Sequence, residues 1–260
     1  MSDNSHGFSN EKDISSYLNN RKFSELNTNM QNFLSFIFDQ NISDDEIISS
    51  DTTKKVENKN PKPDIWIKIN DNIKYISIKK GAGNSVHQES FSSFCSFLSN
   101  INISSDTINN LKIYHYGDDT LDGTGINRFS SDDVKTRYSQ KIKSANAELN
   151  NQINLQKILN RILFEGVFKN PIVVDAFYHG TLEQGVYASR TEIIDYLTTK
   201  VDTTNMSCMQ FSQLTYQPWT RDEHRTAAYP ERRYTMQVKW GSMTKCIIKI
   251  SKGRTTNVNK

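Results

Sequence analysis

The clearest structural signal in the chain is a pair of alternating apolar and polar runs, 64–70 and 73–79. They flank Asp71-Asn72, two residues that tolerate the positive φ of a tight hairpin turn. With that turn, Ile67 opposes Ile76, Ile65 opposes Ile78, Trp66 opposes Ser77, and Asp64 opposes Lys79. Side chains alternate between the two faces of a strand. Ile65, Ile67, Ile69, Ile76 and Ile78 therefore make one apolar face, with Lys74 at its turn end. Asp64, Trp66, Ser77 and Lys79 share the other. A one-residue slip would mix the two sets, so the isoleucines argue for this register.

Residues 1–11 are polar and expected to fray. Residues 12–49 read as helical: Met30, Phe33, Leu34 and Ile37 form one stripe at three- and four-residue spacing, and 44–48 is a further short helical piece. The stretch SDTTKKVENKNPKP has no apolar period and closes on two prolines, which predicts a loop. Ser85 with Gln88 three residues on has capping-box spacing. It predicts a helix from 85 to about 99 that buries Phe91, Phe94, Cys95 and Leu98. Further on, 111–116 reads as a strand, 117–125 as a polar loop, and 132–166 as helical, with Leu155, Ile158, Ile162 and Leu163 apolar. A buried strand at 172–178, a short helix at 190–197 and strands at 234–240 and 246–250 complete the expectation.

The length, 260 residues, suits one α/β domain with decorations or two small domains. No run approaches the ~20 apolar residues that a membrane span needs. The opening MSDNSHGFSNEKD has no basic region followed by an apolar stretch, so no cleaved signal peptide is expected. Cys95, Cys208 and Cys246 are odd in number, far apart and without a CxxC pair. That argues against a disulfide framework or a structural zinc site and fits a reducing cytoplasm. Charge is uneven. Residues 1–53 carry three Lys and Arg against nine Asp and Glu, the rest carry 29 against 20, and the last forty carry ten against three. A basic body with an acidic start suits a polyanionic partner such as nucleic acid. Scattered charge that keeps the surface soluble gives the same totals.

Asp64 follows Pro63, and Ser77-Ile78-Lys79 closes the hairpin with a lysine aligned to the aspartate. Over roughly residues 57–99 the chain resembles the PD-(D/E)xK nuclease superfamily, which includes most type II restriction endonucleases. The triplet departs from the usual form, because Ser77 stands where an acid is expected. That is similar to a variant in which a glutamate from the following helix completes the site, and Glu89 is then the candidate. The resemblance implies an α/β, restriction-endonuclease-like fold, with a central mixed β-sheet flanked by helices. It implies one nuclease domain over 1–260, with an acidic helical segment at 1–53, a catalytic core at 54–180 and a basic strand and loop region at 181–260 for DNA recognition. It also implies a cytoplasmic Mg²⁺-dependent type II restriction enzyme, with Mn²⁺ as substitute. Double-stranded DNA is the expected partner and the enzyme a homodimer, with the helices of 132–166 a candidate interface and no membrane association.

The chemistry accounts for the grouping. Mg²⁺ takes hard oxygen ligands and keeps several waters, so Asp64, Glu89 and the Ile78 main-chain carbonyl would suffice to hold it. Lys79 would align the attacking water and a phosphate oxygen and offset developing negative charge. His87 and Gln88, at the start of the expected helix, are candidates for contact with the phosphate. Arg221, His224, Arg225, Arg232 and Arg233 stand among Tyr216, Trp219, Tyr229 and Tyr234, as phosphate clamps or base readers would.

Other readings fit the same residues. Asp64 and Lys79 could be a plain cross-strand ion pair, Glu89 could complement a helix dipole, and Glu46 or Glu57 could join the site. The runners-up are a repair or junction-resolving nuclease of the same fold, and a nucleic-acid-binding protein with a dead site. Gly81-Ala82-Gly83 and Gly123-Thr124-Gly125 lack phosphate-loop spacing. Tyr178-His179-Gly180-Thr181 and Gly185-Val186-Tyr187 are similar to pieces of ADP-ribosyltransferases, but they lie too close together for the strands and helix that separate them there.

Overall fold

The computed structural model describes residues 5–55, 60–81, 85–126, 128–199, 201–218 and 230–257. Packing divides the chain into two compact units. One is Met1–Asn84, Leu163–Tyr196 and Ser242–Lys260; the other is Ser85–Ile162 and Leu197–Gly241.

The first unit is built on a six-stranded mixed sheet. Its strands are β1 (Arg21–Lys22), β2 (Ile47–Thr52), β3 (Ile65–Ile69), β4 (Asn72–Lys79), β6 (Ala176–Gly180) and β7 (Gly185–Ser189), in spatial order β1-β2-β3-β4-β6-β7. β4 and β6 run parallel and the other neighbours antiparallel. Ile65, Ile67, Ile69, Ile76 and Ile78 are buried, as their alternation predicts, while Ile73, on the opposite face of β4, is 41 % exposed. Helix α1 (Ser5–Leu18) covers β2 and β3, and α2 (Thr28–Phe38) covers β4 and β7. Ile14, Leu18, Met30, Phe33 and Leu34 pack on the isoleucine face. Ile76 is 0 % exposed there, so Ile76→Val should cost about 0.5–1.5 kcal/mol. A urea-unfolding midpoint measures that loss.

The hairpin register differs from expectation by two residues. Ile65 pairs with Ile76 and Ile69 with Asn72, so the turn is Asn70-Asp71 and Asn70 takes the positive φ, 53°. A shift of two preserves which side chains share a face, so the alternation could not detect it. Asp64 now lies level with Ser77 rather than Lys79.

In the second unit β5 (Ser85–Ser90), β10 (Thr235–Lys239), β9 (Leu214–Pro218) and β8 (Gln210–Phe211) form an antiparallel sheet in that order. Helices α3 (Phe91–Asn100), α4 (Ser105–Tyr116), α5 (Ser131–Arg137), α6 (Ser139–Leu149) and α7 (Gln152–Leu159) belong to the same unit. The helix expected from Ser85 is therefore strand β5 up to Ser90. Pairing with β10 overrides the local capping pattern, and Ser90 instead caps α3 by accepting from Ser93 N–H. Residues 111–116, read as a strand, are the last turns of α4, closed by Gly117 in the left-handed region. Pairing with β1 and β3 makes Ile47 and Ile48, the end of the expected helical piece at 44–48, the start of β2, and 44–46 lead into it as a turn. The strand expected at 246–250 lies inside α9 (Met243–Asn257), and α1 begins within the segment expected to fray. The helix at α8 (Arg190–Thr198), the helical region after 131 and strand β10 stand where periodicity put them. Among the described residues no helix is long and apolar enough to cross a membrane.

Candidate active site

Pro63 is buried and leads into β3, where its missing N–H costs no ladder bond. Asp64 follows it, anchored by its N–H to Ile76 O (2.8 Å) and by its carbonyl to Thr53 N–H (2.9 Å). Its Oδ2 accepts three hydrogen bonds from one tripeptide of β4: Ser77 Oγ at 3.0 Å, Ile78 N at 2.6 Å and Lys79 Nζ at 2.9 Å. Lys79 Nζ also donates to the Ile78 carbonyl at 2.9 Å. The register shift explains the arrangement. With Ser77 level with Asp64, Lys79 stands two residues further along and its long stem folds back onto the carboxylate. Ser77 therefore orients the aspartate instead of adding an acid. The turn beyond Lys79 is held as well, since His179 Nε2 sits 3.0 Å from Gly81 O and 3.1 Å from Thr244 Oγ1.

A second carboxylate reaches this place from a segment that the sequence reading passed over. Glu11 stands on α1, one turn before the buried Ile14 that seats the helix on the sheet. With Asp64 it lines a cleft of about 600 Å³, whose other walls include Lys12, Thr53, Lys55 and Asn60. Burial first, and then the negative charge of Asp64, push the Glu11 carboxyl up to about 7, with Lys79 opposing. A signal existed: 11, 14, 15 and 18 form one helical stripe, with an acid where its first apolar member would stand. Thr53 Oγ1, on the same cleft, is buried and has no hydrogen-bond partner among the described residues.

No protein-family model matches the sequence, and no curated protein matches it. A search of solved structures found the crystal structure of the restriction endonuclease MspI in complex with its cognate DNA. The TM-score is 0.54 over 92 % of this chain and 93 % of that one, at 13 % sequence identity. The chain has the restriction-endonuclease-like fold. At this identity the likeness is one of fold, and it agrees with the mixed sheet flanked by helices that the family resemblance implies.

Within this fold Glu89 has other duties than the sequence suggested. It lies on β5, not on a helix, and belongs to the second unit. Both its oxygens are engaged there: Arg161 Nε donates to Oε1 at 2.9 Å and Nη2 to Oε2 at 2.6 Å, and His87 Nε2 lies 2.8 Å from Oε1. Burial alone would raise this carboxyl, yet the bonds from His87 and Arg161 outweigh it and hold it at about 2. An ionised carboxylate only accepts, so the proton between them sits on His87 Nε2. His87 is thus a buried partner of Glu89 rather than a solvated residue, while Gln88 points the opposite way and is exposed.

Arg233 is an ion-pair partner of the buried Asp118 and also donates to Gly125 O. That is a structural duty, and it removes Arg233 from the set of open phosphate clamps. Arg232 lies in the short 3-10 turn Pro230–Tyr234. Arg221, His224 and Arg225 fall outside the described residues, as does Glu57. Glu46 accepts from Asn70 Nδ2 at the hairpin turn, at the far end of β3 from Asp64.

The residues at Asp64 suit a hard divalent cation. Two carboxylates and a main-chain carbonyl are oxygen donors, and the burial and Asp64 charge that raise the Glu11 carboxyl are effects that a cation would offset. Among the described residues no three of His, Cys, Asp and Glu gather closely enough to hold an ion by themselves. That is compatible with Mg²⁺, which retains several waters.

Proposed function

We propose that this protein is a Mg²⁺-dependent endonuclease that hydrolyses phosphodiester bonds in double-stranded DNA, as a site-specific type II restriction enzyme does. The observation that carries the reading is the convergence of Ser77, Ile78 and Lys79 on one oxygen of Asp64, on a cleft shared with Glu11. In this reading Asp64, Glu11 and the Ile78 carbonyl hold the cation, with Glu11 in the place the sequence suggested for Glu89. A bound Mg²⁺ would supply Lewis acidity and a template for the phosphate. Ser77 and the Ile78 N–H fix the Asp64 carboxylate at the wall of the cleft. Lys79 has three N–H donors, two of them committed to Asp64 and Ile78. The third is available to the nonbridging phosphate oxygen or to the attacking water, whose alignment it would set. A homodimer would place one such site on each strand of a symmetric target. The neighbouring structure, a restriction endonuclease with its cognate DNA, supports the choice of substrate.

Incubating the protein with plasmid and phage DNA plus Mg²⁺, and sequencing the fragment ends, tests the reading. Discrete fragments with a common end sequence are expected. Ragged or structure-directed cutting would point to a repair or junction enzyme. Intact DNA with both Mg²⁺ and Mn²⁺ would leave a binding protein with a dead site.

The pH dependence is a second expectation. A cation competes with the Glu11 proton, so Mg²⁺ affinity should climb as pH rises through about 7. Titration by calorimetry at several pH values measures it, and Glu11→Gln should flatten the profile. In the metal-free protein the sign for stability is opposite. A carboxyl raised from 4.5 to about 7 contributes stability that is complete below pH 4.5 and lost as pH rises through 7.

A further inference from the structure

The sheet of the second unit has a polar face that the proposed catalytic residues do not use. Its register places Gln217, Gln237 and Gln88 in one row across β9, β10 and β5. In another row Lys239 opposes Thr215. The other face turns His87, Glu89, Met236, Val238 and Tyr216 into the core. Gln88 is exposed, and Gln217, Gln237, Thr215 and Lys239 are partly exposed. Among the described residues the Gln88 and Gln217 amides have no hydrogen-bond partner, and Gln237 donates through Nε2 to Ser85 Oγ at 2.6 Å, which leaves its carbonyl oxygen open. The described strand positions on this face include no Asp or Glu.

We propose that this face reads base edges in the major groove of duplex DNA, with its glutamines selecting adenine. The inference rests on duplex DNA being the substrate proposed above. A glutamine amide presents a donor and an acceptor side by side, the complement of adenine N6 and N7. Strands lie about 4.8 Å apart, so the row of three amides is about 10 Å long, commensurate with a groove about 12 Å wide. A face without carboxylates does not repel the flanking phosphates, and Lys239 adds a cation. An anionic membrane surface would call for a cluster of lysines and arginines, which the described strand positions on this face do not include.

The test uses Lys79→Ala protein, which the catalytic reading makes silent in cleavage, mixed with randomised duplexes whose bound fraction is sequenced. The bound pool is expected to converge on an adenine-containing sequence. Adding Gln88→Ala and Gln217→Ala should each lower that preference about 5- to 100-fold while non-specific binding at low salt persists. Gln217→Glu, which sets a carboxylate toward the phosphates, should weaken binding to every duplex. Circular dichroism of each variant confirms that it is folded. A double alanine variant that selects the same sequence as strongly as its parent overturns the inference. If the wild type cuts DNA and the glutamine variants select unchanged, the face is wrong and the cleavage reading stands. If the wild type cuts nothing while Lys79→Ala protein still selects through its glutamines, only the cleavage reading falls. Failure to bind any duplex overturns both.

Discussion

Replacing Lys79 with alanine should slow Mg²⁺-dependent DNA cleavage by at least about 100-fold, the loss typical of removing one preorganised electrostatic donor. Duplex binding should be largely kept. The side chain is 21 % exposed and sits 2.9 Å from Asp64 Oδ2, so its charge acts in a partly desolvated place where it is worth more than in water. The fold should tolerate the change, because Ser77 Oγ and the Ile78 N–H still satisfy Asp64. Arginine should not restore the rate, since a planar guanidinium cannot reproduce the point contact of an ammonium shared by two oxygens. Ser77→Ala removes one of three donors and should cost less, roughly tenfold, near 1.4 kcal/mol. Fragment formation on a supercoiled plasmid, followed with a gel-shift assay of the same variants, separates cutting from binding. Wild-type cleavage by Lys79→Ala protein would rule out this site.

Glu89→Gln is expected to destabilise the second unit by about 3–5 kcal/mol, the cost of leaving one member of a buried ion pair alone. Glu89 is 3 % and Arg161 14 % exposed at the side chain. Arg161 also reaches Ser93 Oγ at 3.1 Å and lies over the Phe97 ring at 4.7 Å. Neutralising Glu89 strands a guanidinium among these groups, and the new amide sets N–H donors against those of Arg161 and His87. The pH profile has a defined sign. A carboxyl held at about 2 instead of 4.5 contributes stability that is present above pH 4.5 and lost as pH falls from 4.5 toward 2. Urea unfolding at pH 7 and pH 3 measures both effects, with Trp240 fully buried in the same unit as a reporter. An apolar pair, Glu89→Leu with Arg161→Met, should recover most of the loss, because a well-packed hydrophobic substitute for a buried ion pair is often neutral. The same variant decides between two roles for this acid. Unchanged stability with abolished Mg²⁺-dependent cutting would return Glu89 to the metal.

The sequence by itself determined the local half of the site. Asp64, Ser77 and Lys79 lie on two adjoining strands with a two-residue turn, and alternation settles which side chains share a face. Their meeting therefore follows from parity, even though the turn sits one residue earlier than its composition suggested. The helix periods at 28–38 and 190–198 were legible for a similar reason: each stripe is read within its own element.

What only the tertiary structure decided involves contacts between distant segments. Glu11 reaches the cleft because Ile14 and Leu18 seat α1 against the sheet; the helical stripe shows which side of α1 is buried but not which part of the chain it packs on. Residues 85–90 carry a sound capping-box spacing, but backbone pairing with 235–239, some 150 residues away, satisfies more hydrogen bonds and makes them a strand. That exchange gives Glu89 to Arg161 and His87 and sets Gln88 beside Gln237. Periodicity reports the environment of each residue along its own element; which element supplies that environment depends on burial and pairing across the whole chain, where the larger free energies lie.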